Sequence, residues 1–309
     1  NLLDMKKNKN VIIFSDTHDW HSNQLKKELK KLSCKISCLS LDDCFISTNN
    51  KNNIFIPGFT NNLPDGCFVR TIGKGTFQQI TRRLTILHAL KKLKVIIFND
   101  VNCIEKTTDK SMTTFLLSHG KIDTPNTWVP EKLKSARNVL KKLRKKKYYG
   151  IWKPLFGSQG KGIKIIKNKK INKNSERVYY IQKYEDIKIK SKKEWQDFRI
   201  LVCNNQIIAS MIRKNKKKIT NIGQGGKPFN FQANKKIKKI SLIASKLVNA
   251  DYAGIDLIKD KHGDFKIVEI NSIPAWKGLQ KISKKNIAAI LAKAFIDKIN
   301  KKIYEKISN

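Results

Sequence analysis

Gly254-Ile255-Asp256-Leu257-Ile258 and Phe265-Lys266-Ile267-Val268-Glu269-Ile270-Asn271 flank Lys261-His262-Gly263-Asp264, and Pro274-Ala275-Trp276 follows shortly after. Both runs are apolar and β-branched, and the segment between them has turn composition, so the stretch reads as a β-hairpin. With His262 and Gly263 as the loop pair, Asp256 falls opposite Glu269. Glu269 and Asn271 are two residues apart and share one face of their strand. Two carboxylates and an amide oxygen then converge on one patch. Few, hard, solvent-open oxygen ligands suit Mg²⁺ (or Mn²⁺), which keeps waters and is shared with substrate phosphates. The same residues also fit an ordinary edge hairpin with a solvated acidic face. Acids are scarce, 24 against 65 Lys and Arg, and that scarcity favours the metal.

An apolar content of 40% over 309 residues is enough for two or three small domains with cores of their own. The net charge of +41 raises nucleic acid or an acidic membrane surface as partners. Only 8 of the 65 basic residues are arginine, however, and the lysines are dispersed. They lack the interleaving of arginine with aromatics that reads bases. Drift of composition toward Lys, Asn and Ile is the simpler account, leaving non-specific polyanion attraction at low salt. Neither a specific nucleic acid nor a membrane is therefore expected as partner. Cys34, Cys38, Cys44, Cys67, Cys103 and Cys203 form no C-x-x-C pair. They read as reduced, buried thiols of a cytoplasmic protein. A zinc site from Cys34, Cys38 and Cys44 matches no common spacing. No apolar run reaches membrane-spanning length, and Asn1 to Asn10 have no signal-peptide core.

From the start, Val11 to Phe14 is a short buried strand, followed by a polar cluster with His18 and His21. A helix presents Leu25, Leu29 and Leu32 on one face. Lys35 to Leu41, Cys67 to Val69 and Val95 to Phe98 are further strands, and Ile80 to Leu93 is a helix. This alternation implies a small parallel α/β unit. The histidines follow its first strand, where such sheets bind ligands, so both are candidates to touch substrate. Thr107 to Gly120 reads as one helix, with Asp109 and Lys110 near its start. Ser135 to Lys147 is a Lys-rich helix. Two strands, Tyr148 to Lys153 and Ile163 to Ile166, enclose the loop Gly157-Ser158-Gln159-Gly160-Lys161-Gly162. Glycines there can lay bare backbone N–H groups over phosphates. It is neither a strand–loop–helix phosphate loop nor a dinucleotide fingerprint, because Gly162 follows Lys161 and a strand follows the loop. Strands then run from Val178 to Gln182, from Asp197 to Val202 and from Gln206 to Arg213. A loop from Thr220 to Gly226 and helices from Ile237 to Leu247 and Ile287 to Ile303 complete the pattern.

Taken in order, these stretches resemble the ATP-grasp carboxylate–amine ligases, and among them the α-L-glutamate ligases that modify ribosomal protein tails or pterin cofactors. The resemblance rests on Asp109-Lys110, Lys153 to Gly162, Gln182 to Tyr184, Asp197 to Arg199, Arg213, Thr220-Asn221, Gly254 to Asp256 and Glu269 to Asn271. It implies an ATP-grasp fold of α/β (α+β) class, with a Rossmann-like domain over 1–104. A lid subdomain over 105–188 and a metal- and substrate-binding subdomain over 189–309 would follow. It implies that Lys110 and Lys153 hold the phosphates of ATP and that Gly157, Ser158, Gln159, Gly160 and Gly162 close over them. Gln182, Lys183 and Tyr184 would meet adenine through their backbone, since the family has an acid where Lys183 stands. Asp197 joins the same nucleotide site. Asp256, Glu269 and Asn271 would hold Mg²⁺, while Arg199, Arg213 and Asn221 act on the transferred phosphoryl and the acyl phosphate.

The implied reaction joins an amino acid, L-glutamate, to a pterin, a protein tail or a small molecule, in a cytoplasmic enzyme that is a homo-oligomer by the general default. Trp276 could form a flat wall for a ring-bearing acceptor, or pack in the core. The competing readings are a Lys-rich nucleic-acid-binding protein and an ATP-dependent phosphotransferase using the same grasp. Replacing Lys145, Lys146 and Lys147 by neutral residues is expected to weaken polyanion binding, measured against salt, and to leave turnover unchanged. Loss of turnover in a folded triple variant would assign the basic surface to an acidic substrate.

Overall fold

The computed structural model describes residues 8–157, 160, 162–167, 171–172, 177–189 and 194–307. Ser158, Gln159 and Lys161 of the glycine-rich loop lie outside the described residues. An unbroken run of β-branched and aromatic residues buries both its faces most readily inside a parallel sheet. Val11 to Phe14 does so on β1 (Lys9–Phe14), with all four side chains fully buried. Strands β2 (Cys34–Leu39), β5 (Gly66–Val69) and β6 (Ile96–Phe98) join it in the order β2-β1-β5-β6, all parallel. Helix α1 (Trp20–Lys31) starts where the Asp19 carboxylate accepts from the Ser22 N–H, and α2 (Phe77–Lys92) starts on a Thr76/Gln79 capping box. A short hairpin, β3 (Phe45–Ile46) with β4 (Ile54–Phe55), inserts between β2 and β5.

The single helix expected from Thr107 to Gly120 is in fact the end of one helix and the whole of another. Helix α3 (Val101–Thr108) ends and α4 (Lys110–His119) begins at Asp109, whose carboxylate accepts from Ser111 N–H at 2.7 Å and Ser111 Oγ–H at 2.6 Å. A capping carboxylate this well placed restarts the helix, and Lys110 becomes its first residue. A four-stranded antiparallel lid sheet follows. It contains β7 (Thr127–Trp128), β8 (Gly150–Lys153), β9 (Lys164–Ile166) and β10 (Tyr180–Lys183) in the order β7-β10-β8-β9. Helix α5 (Leu133–Lys145) packs Ala136, Leu140 and Leu143 against it.

The largest sheet runs β14-β13-β12-β15-β16, with β11 (Lys188–Ile189) beside β12. Its members are β12 (Glu194–Cys203), β13 (Gln206–Asn215), β14 (Lys227–Asn230), β15 (Tyr252–Lys259) and β16 (Phe265–Asn271), all antiparallel. Asn204 and Asn205, with φ of +45° and +58°, make the two-residue turn between β12 and β13. Strand alternation divides β12 cleanly. Phe198, Ile200 and Val202 join the core under α6 (Lys235–Leu247), while Leu201 and Cys203 join the core shared with the N-terminal sheet. Asp197 and Arg199 lie on that second face, ahead of Leu201. After the short α7 (Lys277–Gln280), helix α8 (Ile287–Ile307) returns to the N-terminal sheet, burying Ile287, Leu291, Phe295 and Ile299 at helical spacing against Phe68 and Phe98. No helix among the described residues is long and apolar enough to cross a membrane.

In the β15–β16 hairpin Asp256 pairs with Glu269, but through two departures from the expected turn. The loop is Asp260 to Asp264, organised by Asp260 Oδ1, which accepts from the N–H groups of His262 and Asp264 at 2.9 and 3.0 Å. That loop shifts the pairing by one residue, so Leu257 faces Ile267, and a bulge at Val268 restores the pair. Asn99 ties the N-terminal sheet to this hairpin. Its Nδ2 donates to Tyr252 O at 2.7 Å and Ser272 O at 2.6 Å, and its Oδ1 accepts from Asp251 N–H at 2.6 Å and Tyr252 N–H at 3.1 Å. Asn99→Ala strands these buried backbone groups and is expected to cost about 3 kcal/mol or more of unfolding free energy in urea melts. A loss under about 1 kcal/mol would mean that water replaces the amide.

Candidate active site

The lid sheet and the large sheet face each other across a cleft. Lys110 and Lys153 enter it with the lid, and Asp197, Arg213, Asp256 and Glu269 line it from the large sheet. Asp256 and Glu269 are direct cross-strand partners and so project to one face. Gly157, Gly160 and Asn221 also line the cleft. Gly160 has φ +71°, and a Cβ there would meet Asn221 Oδ1 at 2.6 Å, so the lid loop can lie this close only as glycine.

Four charges occupy three neighbouring strands. Asp197 pairs with Arg213 across β12–β13, and Arg199 with Asp256 across β12–β15. Arg213 forks onto Asp197, Nε to Oδ1 at 2.7 Å and Nη2 to Oδ2 at 2.6 Å, and its Nη2 also reaches Asp256 Oδ2 at 3.1 Å. Arg199 lays its Nε and Nη2 edge on the Asp256 carboxylate, Nη2 to Oδ2 at 2.9 Å. All four side chains are buried. Burial opposes the charge on Asp256, but Arg199 and Arg213 outweigh it and hold its carboxyl below the usual range. Burial likewise opposes the charge on Arg213, and Asp197 and Asp256 raise its pKa in spite of it. Gly254 makes room for this arrangement: a Cβ there would meet Arg199 Nη1 at 2.7 Å and Pro274 Cβ at 2.9 Å.

Lys153 donates to Gln182 Oε1 at 2.8 Å. Burial lowers its pKa to about 8, against the pull of Glu269 and with Lys110 adding to the fall. Lys110 Nζ holds the lid loop itself, through Gly157 O at 2.8 Å and Leu155 O at 3.2 Å. Gln182, Lys183 and Tyr184 are not among the residues lining the cleft. Gln182 orients Lys153. The Lys183 and Tyr184 N–H groups are taken by Asn126 O and Tyr149 O, both at about 2.8–2.9 Å, and the Lys183 ammonium sits over the Tyr148 ring.

The three residues expected to hold Mg²⁺, Asp256, Glu269 and Asn271, are not equivalent in the structure. Glu269 has no hydrogen bond or ion pair among the described residues and its strand face opens on the cleft. Asp256 is shared between two arginines, and Asn271 Oδ1 accepts from Ile273 N–H at 2.9 Å. Among the described residues no group of three or more His, Cys, Asp or Glu converges, which also removes zinc at Cys34, Cys38 and Cys44. A free carboxylate beside a second carboxylate and an amide fits a Mg²⁺ that takes part of its shell from phosphates, and would not suit a closed protein cage.

Trp276 is fully buried, between the Arg70 guanidinium at 4.6 Å and the His21 ring at 4.7 Å, so it is core and no acceptor wall. His21 fastens that core: its Nδ1 bonds Asp19 at 3.0 Å and its Nε2 accepts from the N–H groups of Trp276 and Lys277 at 3.1 and 3.2 Å. Burial and the nearby Arg70 lower its pKa, in keeping with an imidazole whose Nε2 accepts. It is therefore unavailable to substrate, whereas His18 remains exposed. Sequence reasoning missed Lys218 and the apolar cleft wall of Ile165, Ile187, Ile258 and Val268. Ile258 could have been found from its two-residue spacing to Asp256. Val268 reaches the cleft through the bulge, which leaves no sequence signal.

Two sheets gripping a cleft of lysines, arginines and carboxylates define the ATP-grasp class. The family pattern of the RimK-like ATP-grasp domain matches residues 107–295, and the chain belongs to that family. It is 30% identical to the tetrahydromethanopterin:alpha-L-glutamate ligase of Methanococcus maripaludis, over 89% of this chain and 94% of that one. It is 22% identical to the alpha-aminoadipate–LysW ligase LysX of Saccharolobus solfataricus, over 88% and 95%. Its fold matches the ATP-grasp ligase PsnB, solved with a minimal precursor, Mg and ADP, at a TM-score of 0.68, 15% identity and coverage of 94% and 98%. The chain is thus an ATP-grasp ligase.

The depressed lysine gives a pH dependence. A triphosphate bound against Lys153 would favour its charged form and raise its pKa above about 8. Between those two values ATP binding takes up a proton, so the Kd is expected to rise about tenfold per pH unit above about 8. Calorimetry in buffers of different ionisation enthalpy reads that proton directly. Lys153→Arg, which stays charged, should flatten the profile, and a wild-type Kd constant from pH 7 to about 9.5 would remove Lys153 from the phosphate site.

Proposed function

We propose that this chain couples the amine of L-glutamate to a carboxylate on an acceptor, at the expense of ATP and by way of an acyl phosphate. The supporting observation is the cleft in which Lys110 and Lys153 oppose Asp256 and Glu269, with Arg213 beside them. A carboxylate is a poor electrophile. Its oxygen attacks the γ-phosphorus, ADP leaves, and the acyl phosphate carries a good leaving group. The glutamate amine then adds to the carbonyl, phosphate departs, and the amine gives up its proton. The protein needs no nucleophile for this and supplies position and charge. Lys110 and Lys153 hold the phosphates, and Arg213, with Arg199 behind it, balances the charge that develops on the transferred group. Asn221 and the lid loop keep water from the acyl phosphate. Glu269, with Asp256 and Asn271, would hold Mg²⁺, whose contribution when bound is to polarise phosphoryl oxygens.

In this reading residues 1–104 form the acceptor-side domain, 105–188 the lid and 189–309 the metal-binding half, with α8 packed on the first of these. The higher identity to the tetrahydromethanopterin ligase than to the LysW ligase, 30% against 22%, supports a pterin-type acceptor ahead of a protein tail. The test is incubation with ATP, Mg²⁺, L-glutamate and both acceptor types, reading ADP release and product mass. Glu269→Gln is expected to lower kcat about 100-fold or more. Lys153→Ala is expected to cost at least ~2 kcal/mol in kcat/KM for ATP. A phosphorylated acceptor with no amide would instead make the protein a phosphotransferase.

A further inference from the structure

Arg70, Arg83, Arg199 and Arg213 are the deeply buried arginines among the described residues. Three of them face carboxylates: Arg199 and Arg213 in the network above, and Arg83 with Asp42 at 3.6 Å. Arg70 has none among the described residues. Its Nη1 donates to Pro274 O at 3.2 Å and Tyr252 OH at 3.4 Å, and its flat face stacks on Trp276. Its Nε is buried without a partner, and its Nη2 makes no hydrogen bond among the described residues. Nε and Nη2 form the edge by which Arg199 and Arg213 grip their carboxylates. Nη1 and one face of Arg70 are therefore engaged by protein, while its bidentate edge, buried at Nε, has no hydrogen-bond partner among the described residues. A buried cation with an empty fork is costly unless an anion completes it.

Its position favours a ligand. Arg70 directly follows β5, and its N–H donates to Phe14 O at the end of β1. β1 and β5 are neighbours on which the strand order turns, and open α/β sheets bind ligands outside the carboxyl ends of their strands at such a point. On its other side, Pro274, which accepts from Arg70, and the Arg199 guanidinium both crowd the same point beside Gly254. Pro274 thus lies between Arg70 and the charge network.

We propose that Arg70 binds a non-reacting carboxylate of the amino acid whose amine attacks the acyl phosphate. This rests on the ligase reading above. Glutamate brings two carboxylates towards a site that already holds Asp256 and Glu269, and a guanidinium with no protein carboxylate among the described residues suits one of them. In that reading Lys110 and Lys153 serve phosphates, and Arg199 and Arg213 are engaged by protein carboxylates. A planar fork matches a carboxylate in a way that a lysine does not.

Arg70→Met should raise the KM for L-glutamate about 30-fold and leave the KM for ATP within about twofold. Arg70→Lys, which keeps the charge without the fork, should fall between. Wild type should reject either glutamine or isoglutamine, whichever lacks the bound carboxylate, and Arg70→Met should lose that discrimination. A merely structural arginine would change stability and leave this selectivity in place. An unchanged glutamate KM in folded Arg70→Met overturns the proposal. If that variant does not fold, Arg70→Lys and the wild-type amide series carry the test, and equal calorimetric affinity of wild type for glutamate and both amides overturns it. Amide formation at normal glutamate KM in the variant would count against Arg70 alone. Glutamate binding that depends on Arg70, in a wild type that forms no amide with any acceptor, would count against the ligase reading alone.

Discussion

Four buried charges hold the active half of this protein in register. Asp197 and Arg199 alternate along one face of β12, and each is answered on the neighbouring strand, by Arg213 and by Asp256. A slip of one residue between any two of these strands would send a charge to the opposite face and into the core under α6. Buried ions are tolerated only when paired and hydrogen-bonded, and here two acids and two arginines complete one another. The network also fixes what each member can do. Asp256 anchors two guanidinium groups, and Glu269, its partner across the hairpin, is left as the carboxylate with no hydrogen bond or ion pair among the described residues. The acid that looked central in the sequence is the foundation of the site, and its neighbour is the exposed surface of it.

The second constraint joins this sheet to the N-terminal domain. Pro274 and Trp276 follow shortly after β16 and are received by Arg70 and His21, with Arg70 also donating to Tyr252 OH. Asn99 closes the same junction with its side-chain amide. An end of the parallel sheet, where ligands are ordinarily bound, is thereby tied to the large sheet that lines the cleft. A ligase that must bring an amine to a short-lived acyl phosphate gains from such fixed geometry, because the reacting atoms have to meet within bonding reach. The glycine-rich loop meets the rest of the protein through Lys110 on two of its carbonyls and through the approach of Gly160 to Asn221.

Much of this was legible in the sequence. Alternation along β12, β15 and β16, the β-branched run of β1 and the heptad-like spacing of α8 are local patterns, and each element formed close to where it was expected. The pairing of Asp256 with Glu269 was also legible, although the turn that delivers it was not. A five-residue loop and a bulge cancel, and neither has a composition that announces it. The split at Asp109 was missed because α3 is short and runs into α4 with only Asp109 between them, so the two helices read as one. The choice between core and acceptor wall for Trp276, and the role of His21, were left undecided for a different reason. Both depend on contacts across more than 250 positions of chain, which local pattern cannot carry. Arg70 was invisible for the same cause, since a lone arginine after a strand has no signature until its neighbours are known.

The account turns on an acyl phosphate formed on the acceptor carboxylate. It is tested most directly by giving the enzyme an acceptor whose reacting carboxylate is labelled with heavy oxygen, together with ATP, Mg²⁺ and L-glutamate. If the carboxylate is phosphorylated and then displaced by the amine, one labelled oxygen leaves in the inorganic phosphate and the other stays in the amide. Unlabelled phosphate released alongside the amide would contradict that route and the roles assigned to the cleft.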